Sequence, residues 1–402
     1  MAGERTPLLG VPVPGPIAGA LGIVQRIHFL DNIRTILTIF LVFHHAAIYV
    51  ARSSLSTPYY NKSDLLPLSL FIVFNKATLY GAFFFASGYS IHLSLKTKSD
   101  LAFFVSRTLK TGLPTLLYHE FGPRRKIEGP VPYVVTLLIL DYAYLISRWL
   151  GSKWSFVSFR RLETRIKDSR AWVMTIVIFS FALVTGITVG NCFGLRLIPF
   201  IVRRYYPFEF PGFGAPVTYI IAYIAGINFP LFNRYILIPR PSVAVGLLVV
   251  SELAADLSLG IAQDHWKKLW YFIRVTSDSE GGRWFIDPGF NGHTIFFTLW
   301  NPLVFYLISI SFVSTFASAS FTRKDWGRWS RHTYIQTFIH MVPVIYTSRF
   351  LAGHSSVQHP IVNTVLSGTA GVIGSWAISL LYVYLGGPAL IQKIYDRLRR
   401  AT

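Results

Sequence analysis

Apolar runs of about twenty residues recur along most of this sequence, and they restrict its possible folds more than any other feature. A helix needs about 20 apolar residues to cross the hydrocarbon core of a bilayer. Charged residues make up only 14% of the chain, against about 25% in soluble domains. The sequence therefore predicts an all-α fold, a polytopic membrane helix bundle with about ten transmembrane helices. The runs cover residues 33–51, 67–93, 102–120, 131–150, 171–190, 216–238, 241–260, 291–319, 333–351 and 360–386.

The third of these runs is the weakest. It contains Arg107, Lys110 and Pro114, and a proline inside a helix removes a backbone hydrogen bond. We expect this segment either to kink or to lie in the membrane interface.

The formal net charge of +20 would suit a nucleic-acid-binding protein, but the positions of the basic residues argue against that function. Lys and Arg fall mainly between the apolar runs, and more of them lie on the side that holds the N-terminus. This bias follows the positive-inside rule and predicts an integral, multi-pass membrane protein with cytosolic N- and C-termini. The basic loops suit contact with anionic membrane lipid or an anionic ligand. A single cysteine, Cys192, excludes an intrachain disulfide.

Composition also divides the chain into three parts. Residues 1–25 are rich in Gly and Pro and predict a disordered cytosolic leader, and residues 26–390 hold the apolar runs. Residues 391–402 predict a basic cytosolic tail. The connection at 261–290 is rich in Trp, Lys, Asp and Gly, so it is either a binding loop or a structural cap.

The first apolar run carries ionisable side chains, which are costly inside a membrane and are usually paired and functional there. His45 follows Arg34 by eleven residues, or about three helical turns, so the two side chains share a face roughly 16 Å apart along the axis. His44 points about 80° away. The functional interpretation is a general base at His45 with a cationic anchor at Arg34. In the alternative, Arg34 extends towards the interface and His45 forms a structural hydrogen bond in the bundle.

The second run contains Gly81-Ala-Phe-Phe-Phe-Ala-Ser-Gly-Tyr89. Gly81 and Gly88 are seven residues apart and share a helix face, which predicts close packing against another helix. Ser87 and Tyr89 add hydroxyl groups. Helix packing alone would also explain this segment.

Arg107 and Lys110 are i,i+3 neighbours at a cytosolic membrane edge. Two cations on one helix face can hold phosphate groups. Topology signalling or contact with lipid headgroups is the alternative.

The remaining polar residues in the runs are less informative. Asp141 lies in an apolar run, and Glu252 and Asp256 are i,i+4 neighbours that suit either structural pairing or a proton relay. His340 precedes Pro343, which frees a backbone carbonyl that the histidine could bond. No set of residues has metal-site spacing, and no nucleotide-binding loop or G-x-S-x-G motif occurs.

At these residues the chain resembles the acyltransferase 3 family of integral-membrane acyltransferases. Leu30-Asp-Asn-Ile-Arg34 is similar to the family's opening LDxLR, and Arg34 with His45 fits its Arg-x10-His signature. Gly81–Tyr89 is similar to its GxFFFxSGY stretch. Arg107–Pro114 is similar to its RxxRxGxP stretch, with Lys110 where Arg is usual. Two later segments also resemble family helices, Pro216–Gly226 and Ser330–Pro343.

The resemblance implies that residues 26–390 form an acyltransferase 3-like domain. Such a domain takes an acyl group, often acetyl, from acyl-CoA on the cytosolic side and passes it to a hydroxyl of a small molecule or sugar. Acyl-CoA is then a co-substrate, and no cofactor is bound permanently. The expected catalytic residues are His45, Arg34 and, as an assisting group, His44. Arg107 and Lys110 would bind the CoA phosphates, and Ser87, Tyr89 and His340 would line the substrate cavity.

Two other functions remain open from the sequence. Asp141, Glu252 and Asp256 could couple protons in a carrier or exporter of small polar or acylated molecules, although no paired half-repeat is visible. A non-catalytic membrane scaffold is the third. The sequence leaves open the acceptor, the acyl chain length, the host membrane and the oligomeric state.

Overall fold

The computed structural model describes a large part of the chain. These are residues 28–56, 66–121, 131–153, 169–194, 215–232, 319–331, 333–353 and 359–387, with individual positions in 242–250 and 300–317 and residues 389 and 393. Several sequence predictions lie outside the described residues, namely those for the leader 1–25, the connection 261–290, Glu252, Asp256 and nearly all of the tail 391–402.

The described part of the chain is about 90% helical and holds no strand, which confirms the all-α prediction for that part. The helices are α1 (His28–Ser56), α2 (Leu66–Ser94), α3 (Asp100–Arg107), α4 (Leu113–Phe121), α5 (Val131–Lys153), α6 (Arg170–Gly194), α7 (Ala215–Phe232), α8 (Arg328–Arg331), α9 (Thr333–Ile339), α10 (Met341–Ala352) and α11 (Pro360–Tyr384). A π-helical segment, Thr108–Gly112, joins α3 to α4.

Within the described part of the chain, three helical stretches are long and apolar enough to cross a membrane: His28–Ala51, Tyr133–Gly151 and Pro360–Tyr384. Ala171–Ile187 and Thr218–Phe229 are shorter apolar helices. Large apolar side chains also lie on the outer surface, among them Ile178 and Phe179 of α6 and Tyr346 and Phe350 of α10. Such a surface is typical of helices in contact with lipid, so the chain is associated with a membrane.

The third apolar run is helical but irregular. Ser99 caps α3 by accepting a hydrogen bond from the N–H of Ala102 at 3.2 Å. In the π-helical segment the N–H of Leu113 bonds to the carbonyl of Thr108, five residues earlier. Pro114 follows immediately and has no N–H for the carbonyl of Lys110, so the regular ladder is interrupted here. π segments are frequent at functional sites, and this one begins directly after Arg107.

Helix α1 lies at the centre of the described bundle and packs against α2, α8, α9, α10 and α11. Small residues let α11 approach it, since a Cβ at Gly371 would meet the side chains of Val42 and Val344. At the start of α1, the buried side chain of Asn32 donates to the carbonyls of Thr322 at 2.7 Å and Lys324 at 2.8 Å. Hydrogen bonds at the start of α1 and close packing against α11 near its middle therefore both stabilise the position of this helix.

Helices α2 and α7 are in backbone contact. A Cβ at Gly88 would collide with the carbonyl oxygen of Tyr223, and a Cβ at Gly226 would collide with that of Phe85. The predicted close packing at Gly88 is thus confirmed. Gly81 also meets a neighbour closely, because its α-carbon faces the ring of Phe305.

The run predicted at 333–351 is divided at His340, which lies between α9 and α10. The N–H of His340 bonds to the carbonyl of Gln336 at 3.0 Å, and the N–H of Val344 bonds to the carbonyl of His340 at 3.3 Å. Pro343 has no N–H to bond to the carbonyl of Ile339, so the helix breaks by a single residue. This break sets the position of a buried histidine.

Candidate active site

Two histidines from distant parts of the chain meet inside the bundle. Nδ1 of His45 on α1 lies 2.6 Å from Nε2 of His340. His45 is 7% exposed and His340 is fully buried. Nδ1 of His340 lies 3.1 Å from the carbonyl oxygen of Gln336. The histidine therefore bonds the carbonyl four residues before it, and not the Ile339 carbonyl that Pro343 frees.

His44 takes a different position. Its ring is buried, and its centre lies 5.8 Å from that of His45 with the planes inclined by 45°. The ring that meets Nδ1 of His45 thus belongs to His340, which the sequence assigned only to the cavity lining. His44 stays a proposed assisting residue.

Arg34 lies about three turns before His45 on the same helix and contacts α2. Its Nη2 donates to the carbonyl of Ala86 at 3.1 Å and to the hydroxyl of Ser90, while Nη1 lies 3.9 Å from Oδ1 of Asp31. The side chain of Arg34 is 27% exposed. Its guanidinium is therefore held in place yet still accessible from one side.

Arg107 is fixed by a buried carboxylate. Its Nε lies 2.9 Å from Oδ2 of Asp141 on α5, which is fully buried, while the Arg107 side chain is 23% exposed. Oδ1 of Asp141 accepts a hydrogen bond from the hydroxyl of Tyr223 at 2.6 Å. The ring of Phe103 lies 5.3 Å from Cζ of Arg107. Asp141 thus pairs with a cation inside the bundle.

Both arginines belong to one polar group. Arg107, Asp141 and Tyr133 lie within electrostatic range of Arg34. The hydroxyl of Tyr133 is 3.3 Å from that of Ser87, so Ser87 joins the same group. Tyr89, two residues later, packs instead against Phe229 of α7, with ring centres 5.5 Å apart.

Lys98 and Lys110 extend this group to the surface. Both side chains are exposed, and Lys98 lies in the connection between α2 and α3. Partial burial lowers the pKa of Lys98 from its ordinary value, and the charges of Lys110 and Arg107 lower it further. Lys98, Arg107 and Lys110 are therefore close in space. We call these three residues with Arg34 the basic cluster.

Helix α9 links the basic cluster to the histidine pair. The hydroxyl of Tyr334 donates to the carbonyl of Thr111 in the π-helical segment at 3.3 Å. His340 follows Tyr334 by six residues, which is about 9 Å along a helix. Along α1 the corresponding separation between Arg34 and His45 is about 16 Å.

The structure therefore brings six of the eight proposed site residues into two groups, while Tyr89 packs against Phe229 and the ring of His44 lies beside that of His45. Arg34, Ser87, Arg107 and Lys110 lie in or beside the basic cluster, and His45 meets His340. Sequence reasoning missed Lys98, Tyr133 and the direct contacts of Asp141 and His340. Of these, Lys98 had a local signal, since it lies in the short connection that precedes α3 and Arg107. Among the described residues, no group of three His, Cys, Asp or Glu side chains could hold a metal ion.

Comparison of the chain with models of known protein families, with curated proteins and with solved structures found no match.

Proposed function

We propose that the protein is a membrane O-acyltransferase that moves an acyl group, often acetyl, from acyl-CoA to a hydroxyl of a small molecule or sugar. The observation that carries the proposal is the position of His45. Its buried ring contacts a second buried imidazole, and its own helix also presents Arg34 to a cluster of cations. A base inside the bundle and anion-binding groups at its edge are what a transfer from a long anionic thioester needs.

The donor phosphates are assigned to the basic cluster. Arg34 is held by the Ala86 carbonyl and the Ser90 hydroxyl, and Arg107 is held by the Asp141 carboxylate, yet both remain partly exposed. Fixed guanidinium groups bind phosphate through charge-assisted hydrogen bonds, and their orientation costs little entropy on binding. Lys98 and Lys110 add exposed charges at the surface. In this assignment the pantetheine arm extends from the cluster towards His45.

The chemical step is assigned to His45. Its neutral imidazole accepts the proton of the acceptor hydroxyl while the oxygen attacks the thioester carbonyl. The C–S bond then breaks, and the proton passes from His45 to the leaving thiolate. The products are the acyl ester and free CoA.

We further propose that the bundle crosses the membrane about ten times with both termini in the cytosol, so that the basic cluster faces cytosolic acyl-CoA. The three long apolar helices and the distribution of basic residues support this topology. Because Cys192 is the single cysteine, a Cys192→Ser background allows single cysteines to be placed at Lys98 and His359. If an impermeant thiol reagent labels these two cysteines from opposite sides of the membrane, the result supports the topology. If it labels both cysteines from the same side, the result contradicts the topology.

The activity is tested with purified protein in lipid nanodiscs. Radiolabelled acetyl-CoA is supplied with an extract of small molecules from the expression host, and products are separated by mass. We expect transfer by the wild type and no transfer by His45→Ala. His359→Ala is the matched control, because it removes an exposed histidine at the start of α11.

Two outcomes would contradict this function. A folded His45→Ala protein with wild-type turnover would refute the assigned base. Uptake of a small molecule into proteoliposomes that needs Glu252 but no acyl-CoA would favour the carrier.

A further inference from the structure

We propose that His340 is a positioning residue that keeps the proton of His45 on Nδ1 and the lone pair on Nε2. The catalytic consequence rests on the proposed acyl transfer. The protonation pattern itself is a property of the resting protein and does not depend on that function.

The two rings meet edge to edge. Their planes differ by 7°, and their centres lie 4.9 Å apart. Rings stacked face to face would keep their atoms at van der Waals distance, about 3.5 Å or more. The 2.6 Å separation of Nδ1 and Nε2 is shorter than that, so the nearly parallel rings share a hydrogen bond in their common plane.

The direction of this hydrogen bond follows from the backbone. The carbonyl of Gln336 can only accept, so Nδ1 of His340 donates to it. In a neutral imidazole the other nitrogen then carries a lone pair, so Nε2 of His340 accepts. Nδ1 of His45 must therefore be the donor, which leaves the lone pair of His45 on Nε2.

Burial favours neutral rings and holds them in place. His340 is fully buried, and an ionised group is costly inside a membrane bundle. Val42 and Ala46 on α1 form a buried apolar cluster with Val344 of α10. Val42 and Ala46 lie within one turn of His45, and Val344 lies about one turn after His340. The chain of hydrogen bonds runs from His45 through His340 and ends at the Gln336 carbonyl of α9.

The arrangement matches what a general base needs. A base that is to take a proton from a hydroxyl must present its lone pair to that hydroxyl, and the bond at the other nitrogen decides which nitrogen that is. When Nε2 of His45 takes the proton, the ring becomes positive. Its Nδ1–H bond to His340 is then charge-assisted and stronger.

The first test measures protonation without any reaction. ¹⁵N spectra of histidine-labelled protein in lipid bilayers assign His45 by difference from a His45→Gln sample, since the chain has 11 histidines. We expect His45 to carry its proton on Nδ1 in the wild type. A wild-type spectrum with the proton on Nε2 of His45 would overturn the proposal.

Two variants of His340 form a matched pair. Glutamine places an amide oxygen near the position of Nε2 and can still accept from His45. Asparagine is one methylene shorter, so it can reach Gln336 but not His45. We expect His340→Gln to keep the proton of His45 on Nδ1 and His340→Asn to release it to Nε2. An unchanged His45 signal in a folded His340→Asn protein would contradict the inference.

Turnover separates this inference from the proposed function. Once an acceptor is found, we expect kcat to fall by about 10- to 100-fold in His340→Asn, with KM for acetyl-CoA unchanged and activity largely kept in His340→Gln. Transfer that needs His45 but is unaffected by His340→Asn overturns the inference and leaves the function intact. If no transfer is found but the wild-type spectrum shows the proton on Nδ1 of His45, the proposed function is refuted and the inference about protonation still holds.

Discussion

Arg107 and Asp141 form an ion pair in which Asp141 is fully buried, with Nε and Oδ2 2.9 Å apart. The carboxylate joins three helices, because it also accepts from Tyr223 of α7. The pair holds one edge of the Arg107 guanidinium inside the bundle, while the rest of the side chain remains partly exposed. From the sequence, Asp141 was a candidate for proton coupling. In the folded protein it orients Arg107.

Replacement of Asp141 by Asn should destabilise the protein by about 3–5 kcal/mol, because it leaves the buried edge of Arg107 without its counter-charge. Tyr223→Phe removes one hydrogen bond to the same carboxylate and should cost about 1.5–3 kcal/mol. Reversible unfolding in mixed micelles gives both free energies. Equal stability of Asp141→Asn and the wild type would show that the pair contributes nothing.

Gly88→Ala should weaken the contact of α2 with α7, because the new methyl group meets the carbonyl oxygen of Tyr223. We expect a loss of about 1–3 kcal/mol in the free energy of unfolding. Gly186→Ala on α6 is the control, since among the described residues no atom beyond its chain neighbours and its own helix backbone lies within 4 Å of the new methyl group. That substitution should be neutral or stabilise α6 by up to about 1 kcal/mol. The prediction fails if both variants unfold alike.

Asn32→Ala should detach the start of α1 from residues 322–324. The buried side chain donates two hydrogen bonds there, and its loss leaves the buried carbonyl of Thr322 without that donor, at a cost of about 1–3 kcal/mol. Asn228→Ala is the comparison, because Asn228 bonds to the carbonyl of Ile224 within its own helix at 2.9 Å and is less buried. We expect that change to stay within about 0.5 kcal/mol. Thermal unfolding in detergent ranks the two variants.

In the proposed donor site, Lys98 should make CoA binding depend on pH. The free protein keeps the pKa of Lys98 below its ordinary value, and a phosphate bound beside it raises that pKa again. Binding therefore takes up a proton in the range between the two pKa values, and affinity falls as the pH rises through that range. Calorimetric titration of CoA at neutral and alkaline pH, at fixed ionic strength, measures this.

The matched variants for this prediction are Lys98→Gln and Lys96→Gln. Loss of Lys98 should weaken CoA binding at neutral pH by about two- to fivefold and should remove the alkaline dependence. Lys96 is also exposed in the same turn, and its loss should leave that dependence in place. If both variants keep the wild-type profile, Lys98 takes no part in anion binding.

The sequence by itself determined the all-α class of the described part and the position of several of its helices. The run predicted at 33–51 lies within α1, and the run at 360–386 agrees with α11, because the lengths of apolar runs are set by a bilayer. Helical periodicity placed Arg34 and His45 about three turns apart on one helix, whereas it did not predict the π-helical segment that follows Arg107 and contains Lys110. Run lengths and side-chain directions within one helix are local properties, so the spacing of residues along the chain is enough to predict them.

Only the tertiary structure decided which groups meet across helices. His45 and His340 are 295 residues apart, and Arg107 meets Asp141 from another helix. Periodicity gives the direction of a side chain around its own helix axis, but the facing helix is selected by packing, for example where glycine lets α2 and α7 touch. Pro343 in the sequence already indicates a helix break near this point. The contact of His340, at that break, with Nδ1 of His45 is visible only in the folded bundle.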